Sequence, residues 1–339
     1  MNQKFLLIAP WDYQLYKVIE KNLQYLGYDV TVIHNNHYRY TLKDTPIKIK
    51  AFFRKIVSKK KEIHSKPHDF YKEEKQLSLI KSQQYYDVCL VLRADFFSEY
   101  LLKKAKRRSR KFISFFYDGL TYNQHVLPLI PLFDRFYIFD KTELDYFREY
   151  AISYAPNFYF DYPSLGANST FIQNKIYYIS SFNPFRLEFI QSLHQYLSHR
   201  ITPIQFDLVC SETEQEQLPE YVKNNFNCIR TIIPYEEQLK LIQNTELIID
   251  VKMIHHSGFS FRIFDGLKLR KKVITTNSSV VDEDFYHPNN FFVLTQDNEK
   301  EIDDFLQKPY VIIDNEIIEK YSFKSWLKRV TDQATDYSG

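Results

Sequence analysis

Residues 4–33 read KFLLIAPWDYQLYKVIEKNLQYLGYDVTVI, and the order of patterns within them decides the fold. Residues 4–9 are a short apolar run. Residues 13–26 repeat apolar side chains at helical spacing, Gly27 closes that helix, and residues 29–33 are rich in β-branched side chains. Strand, helix and strand in so short a span predict a βαβ unit with its two strands parallel. Strand patterns return at 87–92, 111–116 and 135–139 with helical segments between them, which extends the unit into a doubly wound sheet. Residues 41–84 interrupt the alternation as a lysine-rich, mostly helical insertion.

A break follows at 156–174, where Pro156, Pro163, Gly166, Asn168 and Asn174 cluster without an apolar period. Alternation then restarts, with strands at 175–179 and 206–210 around a helix at 185–197. An acidic loop carries Glu212, Glu214 and Glu216. Beyond it come a helix at 235–243, a strand at 247–251, a helix at 259–270, a strand at 273–276 and a helical period over 315–330. A chain of 339 residues exceeds one hydrophobic core. The expected fold is α/β, with two Rossmann-like domains at 1–165 and 172–312 and a C-terminal helix and tail, 313–339, closing back. Their parallel sheets are expected to face a central cleft, since open parallel sheets bind ligands beyond the carboxyl ends of their strands.

Hydrophobic residues at 44% and charged residues at 26% describe an ordinary globular protein. The abundance of Tyr (27) and Phe (29) runs through the whole chain and reads as codon usage. Cys89, Cys210 and Cys228 are far apart in sequence with no CxxC pair, so neither a disulfide framework nor a thiolate metal site is expected. The first apolar run leads directly into a helix, unlike a signal peptide, and no run approaches the ~20 residues that span a bilayer. A cytoplasmic location is expected. A net charge of +3 gives no ground for nucleic acid binding. Its distribution is uneven, with nine Lys/Arg against Asp44 and Glu62 over residues 41–66, and seven with no acid over 103–111. Such runs are most often solvated helix faces. The other reading is peripheral contact with an anionic inner membrane or a phosphorylated acceptor.

The chemistry concentrates in residues 246–277, ELIIDVKMIHHSGFSFRIFDGLKLRKKVITTN. A buried strand ends near Asp250, a loop runs through His255, His256 and Ser257 to Gly258, and a helix opens near Ser260. Free N–H groups at a helix start, the positive end of its dipole and a glycine that admits close approach suit a diphosphate. Arg262 in the first turn adds a guanidinium fork, and Asp265 three residues on shares its face, where a carboxylate accepts bonds from donor hydroxyls. The plain alternative is a surface pair, Arg262 with Asp265, beside a turn glycine.

The order and spacing of these motifs resemble bacterial GT-B-type glycosyltransferases from capsule, exopolysaccharide and lipopolysaccharide gene clusters, loosely the CgeB-like proteins. The resemblance rests on Asp250, Gly258, Phe259, Ser260, Arg262, Asp265, Gly266 and Leu267, then on residues 271–277 and 284–290. It also takes in residues 177–186, and FFYDG at 115–119 and FDRFYIFD at 133–140 in the first half. It departs at His256, where the family carries Gln, and at Asp265, where it carries Glu. The resemblance implies a nucleotide-sugar donor, a UDP-sugar, held by Ser181, Arg186, His256, Gly258, Phe259, Ser260, Arg262, Asp265, Thr276 and Asn277. It implies a cell-surface glycan or lipid-linked glycan as acceptor. Ser257 stands eight positions before Asp265, so the two-glutamate pattern common in retaining enzymes is absent and inversion is favoured.

An inverting transfer needs a base for the acceptor hydroxyl and positive charge for the leaving diphosphate. Asp118, after the strand at 111–116, is the first candidate base and Asp12 the second. Each also has a structural reading, as a turn residue and as a helix N-cap. Arg93 and Asp95, at another strand end, are candidate acceptor ligands. Asp282-Glu283-Asp284 has the form of a metal-binding DxD but reads as a solvated loop, and His255 and His256, being adjacent, do not make a metal pair. No metal and no cofactor is expected. The alternatives are another nucleotide-sugar enzyme such as an epimerase, against which the missing GxGxxG after the first strand counts, and a binding protein that keeps the fold without the chemistry.

Overall fold

The computed structural model describes residues 2–36, 44–57, 70–80, 84–163, 174–253, 256–295 and 297–332. Of the residues singled out above, Gly166, Asn168, His255 and the parts of the basic run at 41–43 and 58–66 lie outside them. The chain divides into two compact units, Met1–Ala155 with the segment from Leu327, and Pro156–Trp326.

The first unit is built from β1 (Lys4–Ala9), α1 (Leu15–Tyr25), β2 (Asp29–His34), α2 (Thr45–Val57), α3 (Phe70–Leu79), β3 (Tyr86–Leu92), α4 (Glu99–Lys106), β4 (Ser109–Phe116), β5 (Arg135–Ile138), α5 (Glu143–Tyr146) and β6 (Ile152–Tyr154). Its described strands form one parallel sheet in the order β2-β1-β3-β4-β5-β6. Phe5, Leu6, Leu7 and Ile8 are all fully buried, as a central parallel strand requires when both sheet faces are covered. Gly27 takes φ +89 and donates its N–H to the Gln24 carbonyl, which ends α1 as expected. In the insertion, Arg54 pairs with Glu73 and Glu74 across α2 and α3, and Lys75 pairs with buried Asp44. Part of that basic run is therefore spent inside the unit.

The second unit comprises β7 (Asn174–Ser181), α6 (Pro184–Ser198), β8 (Ile204–Val209), α7 (Glu212–Gln217), α8 (Glu220–Asn225), β9 (Asn227–Ile229), α9 (Tyr235–Gln243), β10 (Thr245–Asp250), α10 (Phe261–Leu269), β11 (Lys272–Thr275), β12 (Phe291–Val293), α11 (Ile302–Gln307), α12 (Asn315–Lys320) and the start of α13 (Phe323–Thr331). Its sheet is again parallel, in the order β12-β11-β10-β7-β8-β9. Two doubly wound α/β units are thus what the alternation predicted. The chain reverses its direction of sheet growth between β1 and β3 in the first and between β7 and β10 in the second. Those reversal points are where an open parallel sheet offers a crevice.

Three differences from the sequence reading have local causes. The acidic segment at 212–217 is a helix, because Ser211 and Glu214 close a capping box at its start. The period over 315–330 is two helices: the Tyr321 carbonyl accepts the Tyr159 N–H and the Tyr159 carbonyl accepts the Phe323 N–H, which takes the intervening backbone out of helical bonding. Cys210 and Cys228, distant in sequence, are neighbours as free thiols, with burial and then Cys228 raising Cys210 to about 11.

Candidate functional site

In the second unit, two helices begin just beyond the carboxyl ends of the two strands at the reversal point, and each carries an arginine in its first turn. After β7, Asn183 caps α6 by accepting the Phe185 N–H, and Pro184 occupies the position where a missing donor costs nothing. Arg186 then reaches the carbonyls of Ser181 (3.3 Å) and Val251 (3.4 Å). After β10, Ser260 caps α10 by accepting the Arg262 N–H, and Arg262 donates Nη2 to the Ile179 carbonyl at 2.7 Å. Both guanidinium groups therefore converge on the ends of β7 and β10. The Nε of each is buried with no hydrogen-bond partner, and a buried donor left open in this way costs free energy unless something else satisfies it. A cation in the first turn also opposes the helix dipole, at about 0.3–1 kcal/mol each. Each arginine thus opposes the dipole of the helix it opens and keeps one buried donor open.

The rest of the loop holds this geometry. Asp250, 4% exposed, accepts from Ser260 Oγ (2.7 Å) and Thr275 Oγ1 (3.1 Å), tying β10 to the start of α10. Thr276 Oγ1 accepts the Lys252 N–H, and Asn277 donates to the Ser257 carbonyl. Asn157 donates to the Phe259 carbonyl at 2.8 Å. Thr276 and Asn277, read as donor ligands, thus act on the loop. Gly258 and Phe259 are buried, and the Arg262 N–H is already capped, so the amide cradle expected around 258 is largely closed. The guanidinium pair is what remains open. Asp265 is not on the surface where its spacing from Arg262 was expected to put it. It is 2% exposed and accepts the Tyr235 hydroxyl at 2.6 Å, with burial raising its carboxyl to about 7. Turned to Tyr235 inside the unit, it makes no surface pair with Arg262.

In the first unit, the ends of β1, β3 and β4 assemble Asp12, Arg93, Asp95 and Asp118. Arg93 grips Asp95 with Nε (3.0 Å) and Nη2 (2.8 Å), reaches Asp118 with Nη1 (2.6 Å), and lies over the Phe96 and Phe116 rings. Arg93 and Asp95 are an internal pair here, and His125 Nε2 adds a 3.4 Å contact to Asp95. Asp118 is ion-paired with 43% of its side chain exposed. Asp12 lies in a one-turn segment and caps no helix through its side chain. Burial raises its carboxyl, with Arg93 opposing and Asp95 and Asp118 adding to the rise. Tyr13, Gln14 and Arg93 all hold positive φ (50°, 53° and 51°), a left-handed backbone that costs about 1–2 kcal/mol per residue outside glycine. Three strained residues thus flank the reversal point of the first sheet.

No family model and no curated protein sequence matches the chain. Among solved structures, it is similar to a sucrose-phosphate synthase from Thermosynechococcus elongatus, with TM-score 0.56 and 10% identity over 97% of both chains. It is also similar to an alpha-glucosyltransferase in complex with UDP, with TM-score 0.54 and 9% identity over 99% of this chain and 98% of that one. A glycosyltransferase from Rickettsia africae gives TM-score 0.52 and 13% identity over 98% and 100%. The fold is GT-B. At these identities the likeness is one of architecture, and the residues of this GT-B fold have to speak for their own chemistry.

Several contributors were not legible beforehand. Glu143, buried on α5, accepts from the Leu120 and Thr121 amides and the Thr121 hydroxyl (2.8–2.9 Å), which fixes the loop that carries Asp118 and Gly119. Tyr235 and Asn157 act from 30 and 102 positions away, with no local pattern to announce them. Phe185, at the start of the helix expected over 185–197, is 84% exposed, which the helical period does not signal. Among the described residues no group of three or more His, Cys, Asp or Glu is placed to hold a metal ion, and no helix is long and apolar enough to cross a membrane. Of the DxD-like segment, Glu283 and Asp284 accept from Tyr321, and Asp284 pairs with Lys320, so these two brace α12.

Proposed function

We propose that this chain transfers a glycosyl group from a UDP-sugar to a hydroxyl of a cell-surface glycan, with the donor diphosphate held at the ends of β7 and β10. The observation that carries the reading is the convergence of Arg186 and Arg262 there, each with a buried Nε donor that has no partner in the chain. A diphosphate satisfies both forks at once. The two arginines also supply the charge that stabilises the departing UDP, the part a metal plays in other transferases. Phe185, the neighbour of Arg186 in sequence, carries an exposed aromatic ring on which a nucleotide base can stack.

Asp12 is the proposed base, ahead of Asp118. Asp118 is occupied by Arg93, whereas the Asp12 carboxylate makes no hydrogen bond among the described residues and its pKa is raised by burial. Asp12 takes the proton of the acceptor hydroxyl as its oxygen bonds to the anomeric carbon. The bond from that carbon to the diphosphate oxygen breaks on the opposite side, which inverts the centre. The acceptor is read as a lipid-linked or surface glycan by resemblance. Isothermal titration of UDP into the chain tests the donor site. Arg186→Ala and Arg262→Ala are each expected to weaken UDP at least ~10-fold, about 1.4 kcal/mol. Unchanged affinity in both would remove the diphosphate site and the transfer reading with it.

A further inference from the structure

At the other end of the second sheet, a cavity of about 310 Å³ opens beside the first residues of β7, β10 and β11. The strands separate it from the ends that carry Arg186 and Arg262 by about 3.3 Å per residue, on the order of 20 Å. Five cations line it: Lys175, Arg270, Lys271, Lys272 and Lys308. One carboxylate, Glu246, shares the lining. None of the five cations has a carboxylate within ion-pair distance among the described residues.

The five are not equivalent. Lys271 donates to the Gln243 carbonyl at the end of α9, and Lys272 to the carbonyls of Phe305 and Leu306 at the end of α11, so these two serve as helix caps. Burial lowers the pKa of both, with Glu246 opposing it at Lys271 and Lys308 adding to it at Lys272. Lys175, Arg270 and Lys308 are exposed at the rim, with no side-chain hydrogen bond of their own. Arg270 holds φ +54 at the end of α10, where glycine is the usual occupant. The Tyr310 hydroxyl, also in the lining, is buried without a partner. The cavity thus combines an excess of positive charge, five cations against Glu246, with an open hydroxyl and an apolar floor of Ile176, Leu247 and Leu306.

We infer that this cavity is a second ligand site, distinct from the donor site, for a small soluble phosphate monoester whose body is the size of a hexose. The phosphate meets Lys175, Arg270 and Lys308 at the rim, and the body lies against the floor. The site is independent of the transferase reading, because it uses none of the residues proposed for the donor or the base.

The full-length chain, saturated with UDP, is titrated with glucose 1-phosphate at low salt by calorimetry. Binding is expected in the presence of UDP, weakening with added salt. Lys175→Glu combined with Lys308→Glu is expected to weaken it at least ~10-fold with UDP affinity unchanged. Arg270→Gly relieves the left-handed strain while removing one charge. It is expected to leave thermal stability at or above that of the parent and still to weaken the ester. Conversely, Arg262→Ala is expected to spare it. Three results would overturn the inference: no binding by the unaltered chain, equal binding by the charge variants, or displacement of the ester by UDP. Attachment to phosphatidic acid vesicles with no binding of the soluble ester would do so as well.

Discussion

The Asp265–Tyr235 contact makes a quantitative claim. Asp265 is buried, and its carboxyl titrates at about 7 in the folded chain against an ordinary value of 3.8. Desolvation is the main cause, with the Tyr235 bond and Arg262 opposing it. The folded state therefore binds more protons than the unfolded one between those two values, and stability falls as pH rises through that window. At about 1.36 kcal/mol per unit, the full loss is on the order of 4 kcal/mol, of which roughly half or more falls between about pH 5 and pH 8. Asp265→Asn keeps an acceptor for Tyr235 and removes the titration. Its amide hydrogens need partners, which costs about 1–3 kcal/mol at every pH, so the slope and not the absolute stability is the readout. Urea unfolding of both proteins at about pH 5 and pH 8 is expected to show the parent losing stability relative to the variant by roughly 2–3 kcal/mol. Parallel pH dependence would refute the assignment of Asp265 as a buried acid. So would a loss of UDP affinity of ~10-fold or more in the variant, since that would put the carboxylate on the donor.

Asp12→Asn is expected to lower kcat at least ~10²-fold with UDP affinity intact, and near-normal turnover would return the role of base to Asp118. In the parent, the acid limb of the kcat/KM profile is expected above the usual carboxylate range, because burial raises Asp12. Gly266→Ala sets a methyl 2.5 Å from Val273 Cγ2, and Val273 is fully buried with a stiff branched side chain. Overpacking at about 1–3 kcal/mol outweighs the helix gain of about 1 kcal/mol. A lower urea midpoint for the second unit is expected, and an unchanged midpoint would show that α10 can lift from β11.

The strands and helices that the sequence made legible are the long ones with full periods. Residues 4–9 and 29–33 are strands as predicted, and residues 235–243 are α9. The edge strands β6, β9 and β12 have three residues each, too few for an alternation to register. At the site, Arg262 could be singled out because a strand end, a glycine and a helix start lie within a dozen positions of it. What it bonds to could not, since Ile179 is 83 positions away. Asp265 misled for the same reason. Spacing places it on the face of Arg262, but its burial depends on Tyr235 from a different helix. The pairing of Arg93 with Asp118 spans 25 positions and needs the left-handed turn at Arg93, which no residue type there predicts.

The assignment of the segment from Leu327 to the first unit bears on biosynthesis. Lys111 on β4 finds its partner at the Thr331 carbonyl (2.6 Å), and Arg135 on β5 at the Asp332 carbonyl (2.9 Å). A ribosome that has finished β6 needs roughly ten to thirty seconds more to reach those residues. Throughout that interval the first half waits without these two contacts while the second half is made. A released chain ending near Trp326 would keep its later-made half and leave its earlier-made half unfinished. Trimming at the tail is therefore a lesion of the part translated first.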